Sequence, residues 1–182
     1  MEAAALMKGS VKSIDAINKQ IFYSNSQFNL LITGVGKISA RLATNYAISQ
    51  GAEKFINAGI CGSLKSDLPL FKICYPQKIR DLELIQSGSE AILINNKDNL
   101  TVGTVGLPLH GGQEREIFQK HADIIDMEVC GIASALENPK KSLKIIKCVS
   151  DFCQSGGSAE IKKNLPRASV LIREAVLQVL KG

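Results

Sequence analysis

The run Ile124-Ile125-Asp126-Met127-Glu128-Val129-Cys130-Gly131-Ile132-Ala133-Ser134-Ala135-Leu136 constrains the fold more than any other stretch. Ile124 and Ile125 read as a strand. Residues 129–136 are small and apolar enough for a buried helix. Asp-Met-Glu falls between them, at the carboxyl end of the strand, where open α/β sheets place ligand groups. Taken alone, the two carboxylates have a structural explanation. Asp126 caps the helix, and Glu128 favours the positive end of its dipole. The rest of the chain has to decide between that explanation and a ligand role.

Upstream, residues 1–17 carry apolar side chains at roughly helical spacing, broken at Gly9-Ser10. Residues 19–24 and 28–33 read as two strands around the polar turn Asn25-Ser26-Gln27. The second is nearly all apolar after Asn29, as in a strand covered on both faces. Thr33-Gly34-Val35-Gly36-Lys37 then leads into a helix over 38–50, with Leu42, Ala43, Tyr46 and Ala47 as its buried face. Two glycines ahead of a helix start let the backbone approach a ligand, although a plain strand-to-helix turn has the same look. A strand over 54–58 runs into the loop Gly59-Ile60-Cys61-Gly62-Ser63-Leu64. Strand, helix, strand in this order predicts a parallel βαβ unit with both loops on the ligand side of one sheet.

Residues 68–84 read as an extended, partly irregular crossing. Residues 90–95 and 100–106 read as strands separated by a turn, 107–112 as a loop, and 113–120 as a short helix. After the central run, 138–141 is an exposed turn and 143–149 a strand, with Ser150-Asp151 at its end. A Gly/Ser-rich loop over 153–159 precedes a terminal amphipathic helix over 161–180. Its inward residues are Ala168, Leu171, Ile172, Ala175, Val176 and Leu180, and Pro166 lies near its start. The fold class is α/β. A single three-layer domain spans residues 1–182, with a central mixed, largely parallel twisted sheet flanked by helices.

Composition narrows the function classes. At 182 residues the chain is long enough to bury roughly 70% of its unfolded surface. Aromatics make up 5%, with no Trp, which argues against stacking platforms for single-stranded nucleic acid. The net charge of +5 is modest, and its basic clusters at 140–147 and 162–167 read as solvated faces. Neither nucleic acid nor a membrane is an expected partner, since no apolar run approaches the ~18 residues of a span. Five cysteines without paired spacing and two histidines give no metal-ligand pattern. They point to buried thiols in a reducing compartment. The opening Glu2 and alanines predict no secretory leader, and hence a cytoplasmic protein.

Four strand ends thus carry unusual residues: TGVGKISA at 33–40, INAGICGSL at 56–64, DMEVCGIASA at 126–135 and VSDFC at 149–153. In this order they resemble the nucleoside phosphorylase and nucleosidase superfamily. The likeness is strongest to the hydrolytic branch of 5′-methylthioadenosine/S-adenosylhomocysteine nucleosidases and futalosine hydrolases. The resemblance implies cleavage of the ribosyl–base bond of a 5′-modified purine nucleoside, with no cofactor and no metal. It implies that Glu128 accepts hydrogen bonds from the ribose 2′- and 3′-hydroxyls, and that Met127 packs under the sugar. Asp151, beside Ser150, would serve purine N7. Ile60, Cys61 and Gly62 would line the base and ribose wall, and Ile38 would lie toward the 5′ substituent. Leu109 and His110 would stack near the base, and Glu2 would be the water-activating carboxylate. The family opens with a strand ahead of this carboxylate, where the given sequence starts at Met1, so either the true start lies upstream or the sheet lacks that strand; a homodimer is expected.

These residue types suit the chemistry. Breaking the bond builds positive charge on the sugar and negative charge on the leaving base. An acid at N7 neutralises the base, and a carboxylate on the diol favours the cationic transition state. A third carboxylate can take a proton from water. Asp151 must then hold a proton above the ordinary carboxylate range, which burial among Cys148, Val149 and Phe152 would favour. A phosphorylase would need a cationic phosphate cradle, for which Lys37 and Arg41 are the only nearby cations in the sequence. A nucleoside-binding protein without catalysis is the third reading.

Overall fold

Strand pairing organises the chain around residues 55–63 and 143–151. The computed structural model describes residues 11–14, 21–24, 28–88, 90–154 and 157–181. Strands β1 (Val11–Ile14), β2 (Ile21–Ser24) and β3 (Asn29–Ile32) form a three-stranded antiparallel sheet in sequence order. Helix α1 (Lys37–Ser49) follows. Then come β4 (Phe55–Ser63), β5 (Ile73–Cys74), β6 (Pro76–Asp81), a 3-10 turn over Leu82–Ser87, β7 (Ile92–Leu93) and β8 (Asp98–Thr104). The chain continues through α2 (Gly112–Phe118), β9 (Ile124–Asp126), α3 (Val129–Ala135), α4 (Pro139–Ser142), β10 (Leu143–Asp151) and α5 (Gly157–Lys181).

The larger sheet has seven strands in the order β5-β10-β4-β9-β8-β6-β7. Pairs β10–β4, β9–β8 and β8–β6 are parallel and hold most of the paired residues, while the other three are short and antiparallel, so the sheet is mixed and largely parallel, as expected. Helices cover both faces. One face of β4 and β10, through Cys61, Ile145 and Val149, packs with Ala40 of α1 and with Val129, Ile132 and Ala133 of α3. The other, through Ile146 and Cys148, packs with Ala168, Ile172, Ala175 and Val176 of α5. Alternation along β10 sends neighbouring side chains to opposite layers.

Several expectations change. Val11–Ile14 is a strand rather than part of a helix. Apolar residues three apart also suit a short strand when both are β-branched, and pairing with β2 settles the matter. The parallel βαβ unit is not formed, because β3 pairs antiparallel with β2 in the smaller sheet. Its apolar run is explained by Phe28 and Leu30 packing on the α5 cluster. Residues 59–62 are strand, not loop, because β10 and β9 extend the ladder on both sides of β4. Helix α5 begins at Gly157, which places Pro166 inside it, and Leu180 is exposed. Leu42 is 57% exposed, since the small Ala40, Ala43 and Thr44 form the buried face of α1. The expected missing opening strand concerns the N-terminal residues, which lie outside those described.

Candidate active site

Small residues bring the pieces of the site together. A Cβ on Gly131 would lie 2.1 Å from the Lys37 carbonyl oxygen, so its absence lets the start of α1 rest directly on α3. That contact carries Gly36 N to within 3.1 Å of Glu128 Oε1, while Met127 N lies 3.3 Å from Oε2. The start of α1, its positive end, therefore faces Glu128. Burial raises the Glu128 carboxyl above its ordinary range, opposed by the Lys147 ammonium and reinforced by Asp126, with the two backbone N–H groups lowering it. Lys37 is occupied elsewhere: Nζ binds both oxygens of Asp81, at 3.0 and 2.9 Å, and also Glu83. Glu83 in turn accepts from Gly106 N.

Asp151 ends β10 next to an irregularity in its register with β4, where it pairs with Gly62. Bulges of this kind re-aim a side chain at the end of a ladder. Asp151 is buried. Ser150 Oγ lies 2.8 Å from its Oδ1 and 3.2 Å from the Cys61 carbonyl, and Cys153 N donates to Oδ2 at 2.9 Å. A Cβ on Gly62 would lie 2.2 Å from Cys153 Sγ and 3.3 Å from Asp151 Oδ2, so only glycine leaves this arrangement undisturbed. Asn164 of α5 ties down the Ser150 carbonyl, and Arg115 of α2 donates to the Phe152 and Leu64 carbonyls. Burial pushes the Cys61 and Cys153 thiols well up, so neither serves as a thiolate nucleophile.

Glu128 and Asp151 line one cavity of about 280 Å³, near the lower end of the size range of small-molecule sites. Met127, Ser150, Ile60, Cys61, Gly62, Leu109 and His110 line it too, with Thr33, Gly34 and Val35 along another edge. Ile38 does not line the cavity. It is 71% exposed on α1, because the turn into the helix presents Val35 to the opening instead. Glu2 lies outside the described residues. Among those described, no group of three His, Cys, Asp or Glu side chains could hold a metal ion.

The structure adds two residues that sequence reasoning missed. Lys147 lines the cavity, yet its side chain is buried, with Nζ 2.8 Å from Asp126 Oδ2. This corrects its reading as part of a solvated basic face. Asp126 also accepts from Thr104 Oγ1 and from Val129 N, so it caps α3 as expected while carrying an ion pair. A lysine inside the apolar strand Ile145-Ile146-Lys147-Cys148-Val149 was the available signal, since a buried ammonium demands a buried counter-charge. Asn57 Oδ1 is buried in the cavity wall and has no hydrogen-bond partner among the described residues, an acceptor open to a ligand donor.

Comparison with solved structures decides the fold. A 5′-methylthioadenosine/S-adenosylhomocysteine nucleosidase of Helicobacter pylori, complexed with a pyrrolidinol ligand, superposes with a TM-score of 0.85, covering 98% of this chain and 92% of that one at 14% identity. The chain has the fold of this nucleosidase. A futalosine hydrolase of Helicobacter pylori also superposes on this chain, with a TM-score of 0.83, at 14% identity over 98% of this chain and 92% of that one. Among curated proteins, a 5′-methylthioadenosine/S-adenosylhomocysteine nucleosidase of Buchnera aphidicola is 27% identical, across 84% of this chain and 78% of the relative. No family model matches the chain.

Proposed function

We propose that the protein is an N-ribosyl hydrolase that releases the free base from a 5′-modified purine nucleoside of the methylthioadenosine, S-adenosylhomocysteine or futalosine type. The observation that carries this reading is the meeting of Glu128 and Asp151 in one cavity, each held by backbone N–H donors. Glu128 accepts the vicinal diol of the ribose, and Met127 packs beneath the sugar. Asp151 supplies the proton or hydrogen bond to purine N7 as the bond breaks. Ser150 supports that role. When its hydroxyl proton goes to the Cys61 carbonyl, its oxygen can accept from a proton held on Asp151 Oδ1. Ile60, Cys61, Gly62, Leu109 and His110 form the wall around base and sugar. Developing positive charge on the ribosyl carbon is met by the Glu128 carboxylate.

Hydrolysis is favoured over phosphorolysis by the state of the nearby cations. Lys37 is bound to Asp81 and Glu83, and Lys147 to Asp126. Neither offers an uncompensated charge to phosphate. Glu2 is the candidate for activating water. Homodimer formation is supported by an exposed apolar stripe, Val35, Ile38 and Leu42, beside the cavity edge formed by Val35. All five cysteines are free thiols, which fits the cytoplasm. The reading is tested by incubating the protein with a panel of purine nucleosides in phosphate-free buffer and following free base. Formation of ribose 1-phosphate derivatives only when phosphate is added would reassign it to phosphorolysis.

A further inference from the structure

One peptide unit behind the acid is held from both ends. Between Phe152 and Cys153 it presents its carbonyl to Arg115, whose Nε donates to Phe152 O at 3.2 Å. The N–H of the same unit, on Cys153, donates to Asp151 Oδ2 at 2.9 Å. Cys153 adopts φ 56°, in the left-handed region, where a Cβ crowds the backbone. Turning this peptide through half a revolution would return Cys153 to the extended region, open to any residue. It would also aim a carbonyl at Asp151 in place of the N–H. The guanidinium is placed to prevent that turn. Arg115 stands on α2, and its fork also reaches the Leu64 carbonyl just past β4, at 3.3 Å, and Gln119 Oε1, at 3.4 Å. Cys153 itself is buried, with its sulfur seated where Gly62 has no Cβ.

We infer that Arg115 is a positioning residue for the acid: by holding the Phe152 carbonyl, it keeps the Cys153 N–H turned toward Asp151 against the relaxation of a left-handed, non-glycine residue. The inference rests on the reading of Asp151 as the proton donor to the leaving base. Arg115 does not line the cavity, so it acts through this peptide and not on a ligand. As the proton passes to purine N7, Asp151 is left as a carboxylate, and a charge-assisted bond from an N–H stabilises that state. A carbonyl in the same place would oppose it. The other oxygen of Asp151 meets Ser150 Oγ, a contact that does not depend on the peptide. The guanidinium suits the task because its planar, permanently charged fork binds several carbonyls at once, unlike a lysine ammonium on its flexible stem. Removing Arg115 should therefore cost rate rather than nucleoside binding, which falls to Glu128 and Met127.

The test sets Arg115→Met on three backgrounds: wild type, Cys153→Ala and Cys153→Gly. Alanine removes the thiol and keeps the Cβ, whereas glycine removes the strain of the left-handed conformation. Base release is followed in phosphate-free buffer, from the purine nucleoside that the wild type cleaves fastest. On the wild-type and Cys153→Ala backgrounds, Arg115→Met should lower kcat roughly 10–100-fold and leave KM within about twofold. On the Cys153→Gly background it should cost less than about threefold, because the peptide no longer gains by turning. Crystals of Arg115→Met should show Cys153 N turned away from Asp151. Arg115→Lys serves in both measurements if the methionine variant fails to fold. It should lose about fivefold in kcat on the first two backgrounds and under about twofold on the third. An unchanged kcat, a loss confined to KM, equal losses on the alanine and glycine backgrounds, or Cys153 N still on Asp151 in the variant overturns the inference. Folded wild-type protein that releases no base removes the hydrolytic reading alone, and the orientation of the peptide in the variant crystals then decides whether Arg115 holds it.

Discussion

Asp151 is the residue on which the proposed bond cleavage depends most. Its carboxyl is buried, with Ser150 Oγ on one oxygen and Cys153 N on the other. Asp151→Asn keeps the shape and the Ser150 contact but removes the acid. Base release should slow by ~10²–10⁴, the usual worth of a positioned general acid, with nucleoside affinity near that of the wild type. Stopped assays of free base against titrations of binding check the split. Turnover at the wild-type rate would refute the role. Glu128 and Asp151 stood out in the sequence because each closes an apolar strand within a segment that resembles the nucleosidases; read alone, Glu128 had an explanation in the dipole of the helix that follows it. Lys147 was not, because a count of basic clusters treats a lysine in a strand like one on a loop. Only its alternation with Ile145 and Val149, both inward on the same face, gives it away. Asn57 had no signal, since an unpaired acceptor is a property of the folded cavity.

At the scale of elements, the site is where α1, α3, β4, β9 and β10 converge, and two features hold them. The first is the Lys147–Asp126 pair, which ties β9 to β10 over β4. Lys147→Met strands a buried carboxylate and should destabilise the protein by about 3–5 kcal/mol, measured by denaturant unfolding, whereas removing both charges should cost much less. Equal losses for the single and double variants would show that the pair is not coupled. The second is the seat of α1 on α3. Gly131→Ala places a Cβ 2.1 Å from a backbone oxygen, which cannot swing aside as a side chain would. It should cost about 1–3 kcal/mol of stability. By moving Gly36 N away from Glu128, it should also raise the KM for nucleosides. Stability and KM unchanged from the wild type would contradict the seat. The positions of α1, α3, β4, β10 and α5 were readable from apolar periodicity and turn residues. The partners of the strands were not. An apolar run such as 28–33 looks alike whether the strand lies in a covered parallel sheet or, as β3 does, in a separate antiparallel sheet packed on α5.

At the scale of the whole molecule, the mixed, largely parallel seven-stranded sheet with helices on both faces carries the cavity along β4, β9 and β10. The exposed stripe Val35, Ile38 and Leu42 lies outside this core. Ile38→Glu should convert a dimer into a monomer in sedimentation experiments while leaving the unfolding temperature of the protomer close to that of the wild type. A wild-type monomer at micromolar concentration would remove the dimer proposal. The central claim is base release by water, and one measurement bears on it most directly: chromatography of free purine from 5′-methylthioadenosine, S-adenosylhomocysteine and futalosine incubated with folded protein in phosphate-free buffer. The expected result is stoichiometric free base and free sugar from at least one of them, abolished or strongly slowed by Asp151→Asn. No base from any of the three, with the protein folded and binding nucleoside, would contradict it.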